Sequence, residues 1–267
     1  MSARLIATAA LLACALAGCT GTAATQVSPP PTTTASAPGT APTVLGDIPH
    51  DTAAFTEGLE IADGVLYEST GLYGQSEIRA VDPATGVVRN KTALPQELFG
   101  EGLTVVGDRI WQITWQEGVA IERDRATLAE RRRVTYQGEG WGLCHDATRL
   151  VMSDGSDKLT FRDPDTFEVT GEVRVRSAAG PVAKLNELEC ANGSVYANVW
   201  ETDTIVRIDP ASGQVTATAD LSGLLRPDER GGVDVLNGIA AVPGTDEFLV
   251  TGKLWPKTFR IRFAAAG

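Results

Sequence analysis

The chain is poor in the residues that zinc enzymes and nucleic-acid-binding proteins need. Its 267 residues include two histidines, His50 and His145, and neither a C-x-x-C nor an H-E-x-x-H motif occurs. A conventional zinc enzyme is therefore not expected. Lys and Arg total 23 against 34 Asp and Glu, the net charge is −11, and the longest basic run is Arg131-Arg132-Arg133. Without a basic surface, a nucleic-acid partner is not expected either.

Long helical patterns are also missing. Beyond the N-terminal segment, no apolar periodicity typical of a helix continues for a useful length. The apolar fraction of 43% matches a globular protein, so a wholly disordered chain is excluded. The length is enough for one large domain or two small ones.

Residues 1–19 have the pattern of a bacterial export signal. Arg4 precedes an apolar run, and Leu16-Ala17-Gly18-Cys19 has the form of a lipobox. The apolar run is too short to span a membrane as a helix. Because the lipobox cysteine is lipidated, Cys19 is predicted to anchor an exported protein to the cell membrane, facing the extracytoplasmic side. A plain secretory signal with an accidental cysteine is the alternative.

Residues 20–42 have the composition of a tether. They hold Thr, Ala, Pro and Ser, with no charge and almost no large apolar side chain. Such a segment cannot bury enough surface to offset its chain entropy. The folded domain is therefore predicted to cover residues 43–267, joined to the lipid by an extended, disordered linker.

A short pattern recurs five times in this domain. A polar or aromatic residue is followed by Gly or Glu and then by Leu or Ile, at spacings of 44, 40, 45 and 51 residues. The first members of the five repeats are Glu57, Glu101, Trp141, Asn186 and Asn237. Each repeat continues into further β-rich runs separated by turn residues such as Asp-Pro. Units of four short strands at this period predict an all-β, five-bladed β-propeller with four antiparallel strands per blade. A β-sandwich with chance spacing is the alternative.

The last repeat lacks a fourth strand. The segment from Thr43 to His50 precedes the first repeat and has no partner within it. We expect this N-terminal strand to complete the fifth blade, which would close the ring and cover both free edges.

The repeat also predicts where a site lies. Inner strands of a propeller surround a central channel, so the five first members are expected at one depth around it. Two carboxylates, two amides and one indole meeting at a concave point form a candidate binding site. Trp115, Trp200 and the Lys253-Leu254-Trp255 segment follow second strands and are expected to fold over the channel mouth. Trp111 lies earlier on its strand and is expected to pack within a blade. The alternative is a polar channel lining without a role, with Phe55 as a hydrophobic plug.

Several long motifs resemble one family. FTEGLEI, LYESTGLYGQSEIRAVD, FGEGLT, QITWQEG, GEGWGLCHD, LNELE, YANVWETDTIVRIDP, DVLNGIA and VTGKLWPK span Phe55 to Lys257 and are similar to the plant and bacterial glutaminyl-peptide cyclotransferases of the propeller type. The resemblance implies an enzyme that converts the N-terminal glutamine of peptides or proteins to pyroglutamate and releases ammonia. It implies no zinc and no other required cofactor, and it leaves a structural calcium ion open. We expect a monomer whose only membrane contact is the lipid anchor.

The resemblance also implies roles for individual residues. Glu101 would be the catalytic acid and base, with Lys253 and Asn186 as polar catalytic partners. The implied substrate-binding residues, together with Asn237 from the repeat, are Phe55, Glu57, Trp115, Trp141 and Trp200. One departure concerns Glu57, because relatives commonly have Gln there. A second carboxylate close to Glu101 would raise the pKa of Glu101.

The implied reaction needs few groups. The α-amine attacks the side-chain amide carbon of the same residue, so a single carboxyl group can take a proton from the amine and deliver one to the departing ammonia. Lys253 or Asn186 could stabilise the oxyanion of the tetrahedral intermediate. Tryptophans would exclude water and hold the substrate bent for ring closure.

Two cysteines remain after Cys14 leaves with the signal and Cys19 accepts lipid. Cys144 and Cys190 lie on the predicted inner strands of adjacent blades, where residues of opposite parity can meet. The exported compartment permits a disulfide between them. Two buried thiols are the alternative.

Two other functions fit the propeller. In a calcium-dependent hydrolase or lactonase, the oxygen atoms of Glu57, Glu101, Asn186 and Asn237 would converge on one axial ion. In a non-catalytic propeller, one face would bind a protein partner, and Glu101 would be dispensable.

Overall fold

The computed structural model describes residues 39–264, which form five four-stranded antiparallel sheets. The strands are β1 (Thr43–Pro49), β2 (Thr56–Ala62), β3 (Val65–Thr70), β4 (Glu77–Val81), β5 (Val88–Ala93), β6 (Gly100–Val106), β7 (Arg109–Thr114), β8 (Val119–Asp124), β9 (Glu130–Thr135), β10 (Leu143–His145), β11 (Leu150–Ser153), β12 (Lys158–Arg162), β13 (Val169–Arg174), β14 (Arg176–Ser177), β15 (Gly180–Pro181), β16 (Leu185–Ala191), β17 (Ser194–Val199), β18 (Thr204–Ile208), β19 (Val215–Asp220), β20 (Leu236–Ala241), β21 (Glu247–Gly252) and β22 (Lys257–Arg262).

Each blade follows the predicted order of strands. Blades 1 to 4 are β2–β5, β6–β9, β10–β13 and β16–β19, and each runs from its inner to its outer strand in chain order. The short hairpin β14–β15 and a 3-10 helix at Pro227–Glu229 lie in connections. The described residues contain no α-helix. The predicted all-β, five-bladed propeller is confirmed.

The N-terminal strand completes blade 5. Strands β20, β21 and β22 are followed in the sheet by β1, which pairs antiparallel with β22 and places Asp47 opposite Phe259. The predicted closure of the ring by the N-terminal strand is therefore confirmed. Because β1 covers the edge of β22, the last blade has the same four-stranded form as the others.

The hydrophobic core lies between neighbouring blades. One cluster, for example, joins Val151 and Leu159 of blade 3 to Leu188 and Val206 of blade 4. Similar clusters join each of the other adjacent pairs, including blades 5 and 1. Burial of apolar surface between blades stabilises the ring by roughly 25 cal/mol per Å². It also fixes the inner strands around the axis.

Glycines bring the inner strands close together. A Cβ atom on Gly58 would lie 2.6 Å from the backbone nitrogen of Leu103, and one on Gly102 would lie 2.5 Å from that of Leu143. Neither distance is sterically allowed, so a larger residue would push the blades apart. The Gly of the repeated pattern thus permits the close approach that brings the preceding side chains together.

The chain upstream of β1 is described from Gly39. Thr40 falls within the predicted tether. It donates its backbone N–H to the Thr218 carbonyl at 3.0 Å, and its own carbonyl accepts from Asp220 N at 3.2 Å. The signal sequence, Cys19 and the rest of the tether lie outside the described residues, so these assignments stay predictions. Within residues 39–264, no helix has the length and apolar character needed to cross a bilayer.

Candidate active site

The polar residues of the repeat lie in irregular positions of the inner strands. The ladders between first and second strands shift register between Thr56 and Gly58, and between Gly100 and Leu103. The inner strands of blades 4 and 5 shift at the equivalent places. Such bulges re-aim side chains. The bulges explain why these inner strands begin with polar side chains, although the residues that follow are apolar and pack in the core.

A buried ion pair lies at the centre of the site. Lys253 Nζ is 2.6 Å from Glu57 Oε1, and the two side chains are 8% and 1% exposed. Asn237 Nδ2 donates to Glu57 Oε2 at 3.1 Å and to the Thr56 carbonyl at 3.0 Å. Glu57 of blade 1 is thereby held by two residues of blade 5, across the junction where the ring closes.

Glu101 lies against this pair. Burial raises the pKa of Glu101 well above its ordinary value. The negative charge of Glu57 raises that pKa further, while Lys253 opposes the shift. Burial also raises the pKa of Glu57, to about 7. Both carboxyl groups therefore have raised pKa values, and the Glu57–Glu101 pair keeps a proton to higher pH than a solvated carboxyl group does.

The amides of the site have unused hydrogen-bonding atoms. Among the described residues, the buried atoms without a partner are Glu101 Oε2, Asn186 Oδ1, Asn198 Nδ2 and Asn237 Oδ1. Buried polar atoms without partners are rare and costly, so the free atoms of Glu101 and Asn237, which both adjoin Glu57, are suited to a polar ligand. Among the described side chains, no hydrogen bond joins Asn186 to Glu57 or Glu101.

Five aromatic rings, which we call the aromatic wall, form two contacting groups, and one of these groups adjoins the ion pair. Phe99 contacts Trp115 and Phe55 edge to face, with ring centroids 5.6 and 6.2 Å apart. Lys253 Nζ lies 4.5 Å from the centroid of the Phe55 ring, so one end of the wall reaches the ion pair. Trp141 and Trp200 form a second contact at 5.5 Å and 84°.

Two of the five tryptophans lie elsewhere. Trp111 is fully buried between blades 2 and 3 and donates to the Pro164 carbonyl at 2.9 Å, as expected for blade packing. The expectation that Trp255 folds over the channel mouth is wrong. Trp255 is 3% exposed in the core of blades 4 and 5, and its indole donates to the Asp234 carbonyl. Leu254, with φ of 61°, turns the chain so that Trp255 returns to the core.

Sequence reasoning missed three residues of this region. Phe99 connects Phe55 to Trp115, and Glu139 accepts hydrogen bonds from two tryptophans. Glu187 occupies the position that is Gly in the other four repeats. Phe99 and Glu139 adjoin Glu101 and Trp141 in the FGEG and GEGW motifs, so proximity in sequence to the chosen residues was the available signal.

Glu187 connects three blades at the axis. Its carboxylate accepts from Leu59 N of blade 1 at 3.1 Å and from Ile239 N of blade 5 at 2.8 Å. Burial raises the pKa of Glu187 well above its ordinary value, although these two backbone donors act in the opposite direction. Leu59 and Ile239 each lie two residues after a site residue, so Glu187 fixes the strands that carry Glu57 and Asn237.

Cys144 and Cys190 form a disulfide with a Cα–Cα distance of 5.4 Å. The bond joins β10 of blade 3 to β16 of blade 4. Within the described part of the chain, no cluster of three or more His, Cys, Asp or Glu is placed to hold a metal ion.

The fold and the site define a propeller enzyme with a buried carboxyl pair beneath an aromatic wall. The chain belongs to the glutamine cyclotransferase family, whose sequence model matches residues 10–263. It is 42% identical over 229 residues to the glutaminyl-peptide cyclotransferase of Arabidopsis thaliana, covering 84% of this chain and 71% of the plant protein. The crystal structure of Myxococcus xanthus glutaminyl cyclase superposes with a TM-score of 0.75 at 38% identity, covering 84% of this chain and 98% of the bacterial one.

Proposed function

We propose that the protein is a glutaminyl-peptide cyclotransferase, which converts the N-terminal glutamine of peptides and proteins to pyroglutamate and releases ammonia. The names of the plant and Myxococcus relatives support this activity. The observation that carries the proposal is the buried Glu101, with its raised pKa, beside the Glu57–Lys253 ion pair. A carboxyl group with a raised pKa can both give and take a proton near neutral pH, as this cyclisation requires.

The proposed reaction moves one proton between two nitrogen atoms of the substrate. The neutral α-amine attacks the side-chain amide carbon, and a tetrahedral intermediate with an oxyanion forms. Glu101 gives its proton to the departing nitrogen, and its carboxylate then takes a proton from the attacking nitrogen. The bond to the departing nitrogen breaks, ammonia leaves with the electron pair, and the carbonyl of the five-membered ring forms. The protonation state of Glu101 is the same before and after.

Other residues of the site would bind and orient the substrate. The unpartnered oxygens of Asn186 and Asn237 are suited to accept hydrogen bonds from substrate N–H groups. The aromatic wall of Phe55, Trp115, Trp141 and Trp200 would exclude water and hold the glutamine side chain near its own amine. Lys253 carries the positive charge that an oxyanion needs.

We propose that catalysis uses no metal ion or cofactor. In the calcium-dependent alternative, Glu57 and Glu101 would both act as oxygen ligands of one cation. Here Glu57 is already paired with the ammonium group of Lys253, and the raised pKa of Glu101 favours its neutral form. Both features disfavour a cation at this position.

Ammonia release from a Gln-initiated dipeptide amide tests the proposed function. We expect activity in the wild type, a loss of at least about 1,000-fold in kcat for Glu101→Gln, and no effect of EDTA. Glu97→Gln removes an exposed carboxylate from the loop before Glu101 and is the matched control. Inhibition by EDTA with recovery on adding calcium would support the hydrolase alternative. An inactive wild type with a folded domain would support a protein-binding propeller.

We further propose that Cys19 carries a lipid and holds a monomeric enzyme on the extracytoplasmic side of the membrane. The lipobox sequence supports the anchor, and the presence of the complete site in one chain supports the monomer. Cys19→Ser should move the protein from the membrane fraction to the soluble exported fraction without a change in specific activity. Retention in the membrane fraction would contradict the anchor.

A further inference from the structure

The aromatic wall consists of two separate groups. We call Phe55, Phe99 and Trp115 the first aromatic group, because Phe99 contacts both of the others. Trp141 and Trp200 are the second aromatic group, and they contact each other at 5.5 Å. No ring contact joins the two groups among the described residues. Something other than ring packing must therefore set the distance and angle between them.

Glu139 provides the connection. Its Oε2 atom accepts a hydrogen bond from Trp115 Nε1 and another from Trp141 Nε1, each at 3.0 Å. Its Oε1 atom accepts from Gln116 Nε2 at 3.1 Å. One carboxylate oxygen is thus shared by an indole of each aromatic group.

The backbone around Glu139 is held in place as well. Gly140 N donates to the Trp115 carbonyl at 2.9 Å, and Trp141 N donates to the Ser153 carbonyl at 3.1 Å. Hydrogen bonds from neutral donors to a carboxylate are stronger than those between neutral groups. The bond from Trp141 in particular lowers the pKa of Glu139, so Glu139 stays charged at neutral pH.

We propose that Glu139 is a positioning residue, which fixes Trp115 and Trp141 relative to each other and so sets the width of the substrate pocket. The inference rests on the proposed function, because the pocket is the one that would bind the N-terminal glutamine. Glu139 acts through the two indoles, since its oxygens are occupied by Trp115, Trp141 and Gln116. A pocket of fixed width holds the substrate in the bent form that ring closure needs.

Glu139→Ala and Glu139→Gln test the proposal against the Glu97→Gln control. Glu139→Ala removes both indole hydrogen bonds. It should raise KM for the dipeptide amide by about tenfold, with kcat within about threefold of the wild type. Glu139→Gln keeps an amide oxygen that can accept from the indoles, so it should restore most of the affinity. An unchanged KM in Glu139→Ala would overturn the proposal, and so would a loss confined to kcat.

A variant pair separates positioning from a general structural effect. Trp115→Phe/Trp141→Phe keeps an aromatic ring at each position but removes the N–H groups that donate to Glu139. Adding Glu139→Ala to this background should therefore cause little further rise in KM. An equal rise in both backgrounds would overturn the proposal.

Tryptophan fluorescence keeps the proposal testable apart from the reaction. We expect a red-shifted emission and stronger acrylamide quenching in Glu139→Ala, with a far-UV spectrum like that of the wild type. These changes concern the indoles and do not depend on the substrate. An inactive wild type would thus contradict the proposed function alone, and an unchanged emission would contradict the positioning role.

Discussion

Lys253 and Glu57 form an ion pair, with Nζ and Oε1 2.6 Å apart, across the junction of blades 5 and 1. Both side chains are buried, and Glu57 also accepts a hydrogen bond from Asn237 and lies beside Glu101. Removing one member of a buried pair leaves an uncompensated charge, which typically costs about 3–5 kcal/mol. The pair therefore links the stability of the ring closure to the electrostatics around Glu101.

Glu57→Gln should lower the pKa of Glu101. The negative charge of Glu57 raises that pKa and Lys253 lowers it, so the substitution removes the first effect and leaves the second. The limb of the pH–kcat/KM profile that reports Glu101 should move to lower pH, with activity retained. Profiles between pH 5 and 9 measure the shift. Glu57→Asp, which keeps the charge, is the control, and an unmoved profile in Glu57→Gln would show that the two carboxyl groups are not coupled.

Lys253 and Asn186 should have different kinetic roles. Lys253→Met in the Glu57→Gln background removes both charges of the ion pair. We expect its kcat to be about 100- to 1,000-fold lower than that of Glu57→Gln, because oxyanion stabilisation is lost. Asn186→Ala removes an acceptor suited to a substrate N–H group and should mainly raise KM. Steady-state kinetics with one dipeptide amide compare the variants. A larger loss of kcat in Asn186→Ala would assign the oxyanion to Asn186.

The Cys144–Cys190 disulfide should contribute to stability. It joins residues 46 apart in sequence, and closing a loop of that length in the unfolded chain stabilises the native state by about 4 kcal/mol in the chain-entropy model. Urea unfolding of Cys144→Ala/Cys190→Ala should show a corresponding decrease in the free energy of unfolding. The double variant should be insensitive to dithiothreitol, whereas the wild type is destabilised by it. Equal sensitivity of the two proteins would contradict the role of the bond.

Glu187 should make stability depend on pH. Its pKa is raised in the folded protein, so folding takes up a proton at pH values above the ordinary pKa of Glu and below the raised one. In that window the stability of the wild type relative to Glu187→Gln should fall as pH rises, by up to about 1.4 kcal/mol per pH unit. Denaturant unfolding at several pH values gives the difference. Glu172→Gln, on an exposed position of β13, controls for the change in net charge, and a difference independent of pH would contradict the prediction.

The repeat carried most of the information about the fold. Its spacing gave the number of blades, and the unpaired segment from Thr43 to His50 gave the ring closure, because a missing strand and an unmatched strand must pair. Polar residues at the first repeat position also indicated where Glu57, Glu101 and Asn237 meet. The repeat does not predict the contact of Lys253 with Glu57, because that contact depends on how the loop after β21 turns.

The aromatic residues were harder to assign. Trp255 follows a second strand as Trp115 and Trp200 do, but the backbone turn at Leu254 directs it into the core. Glu139 carries no repeat signal, because it lies in the connection between blades 2 and 3 and its function depends on indoles from both. Contacts between blades set these positions, and a pattern read along one strand does not contain them.

The pairing of β1 with β22 also has a consequence for biosynthesis. Of the described strands, β1 is made first and its partner β22 is made last. Contacts this distant in sequence form late, so the nascent chain stays an open array of blades until β22 has been made. Closure of the ring therefore waits for the synthesis of β22, and any factor that holds β1 until then also delays the final blade-to-blade contact.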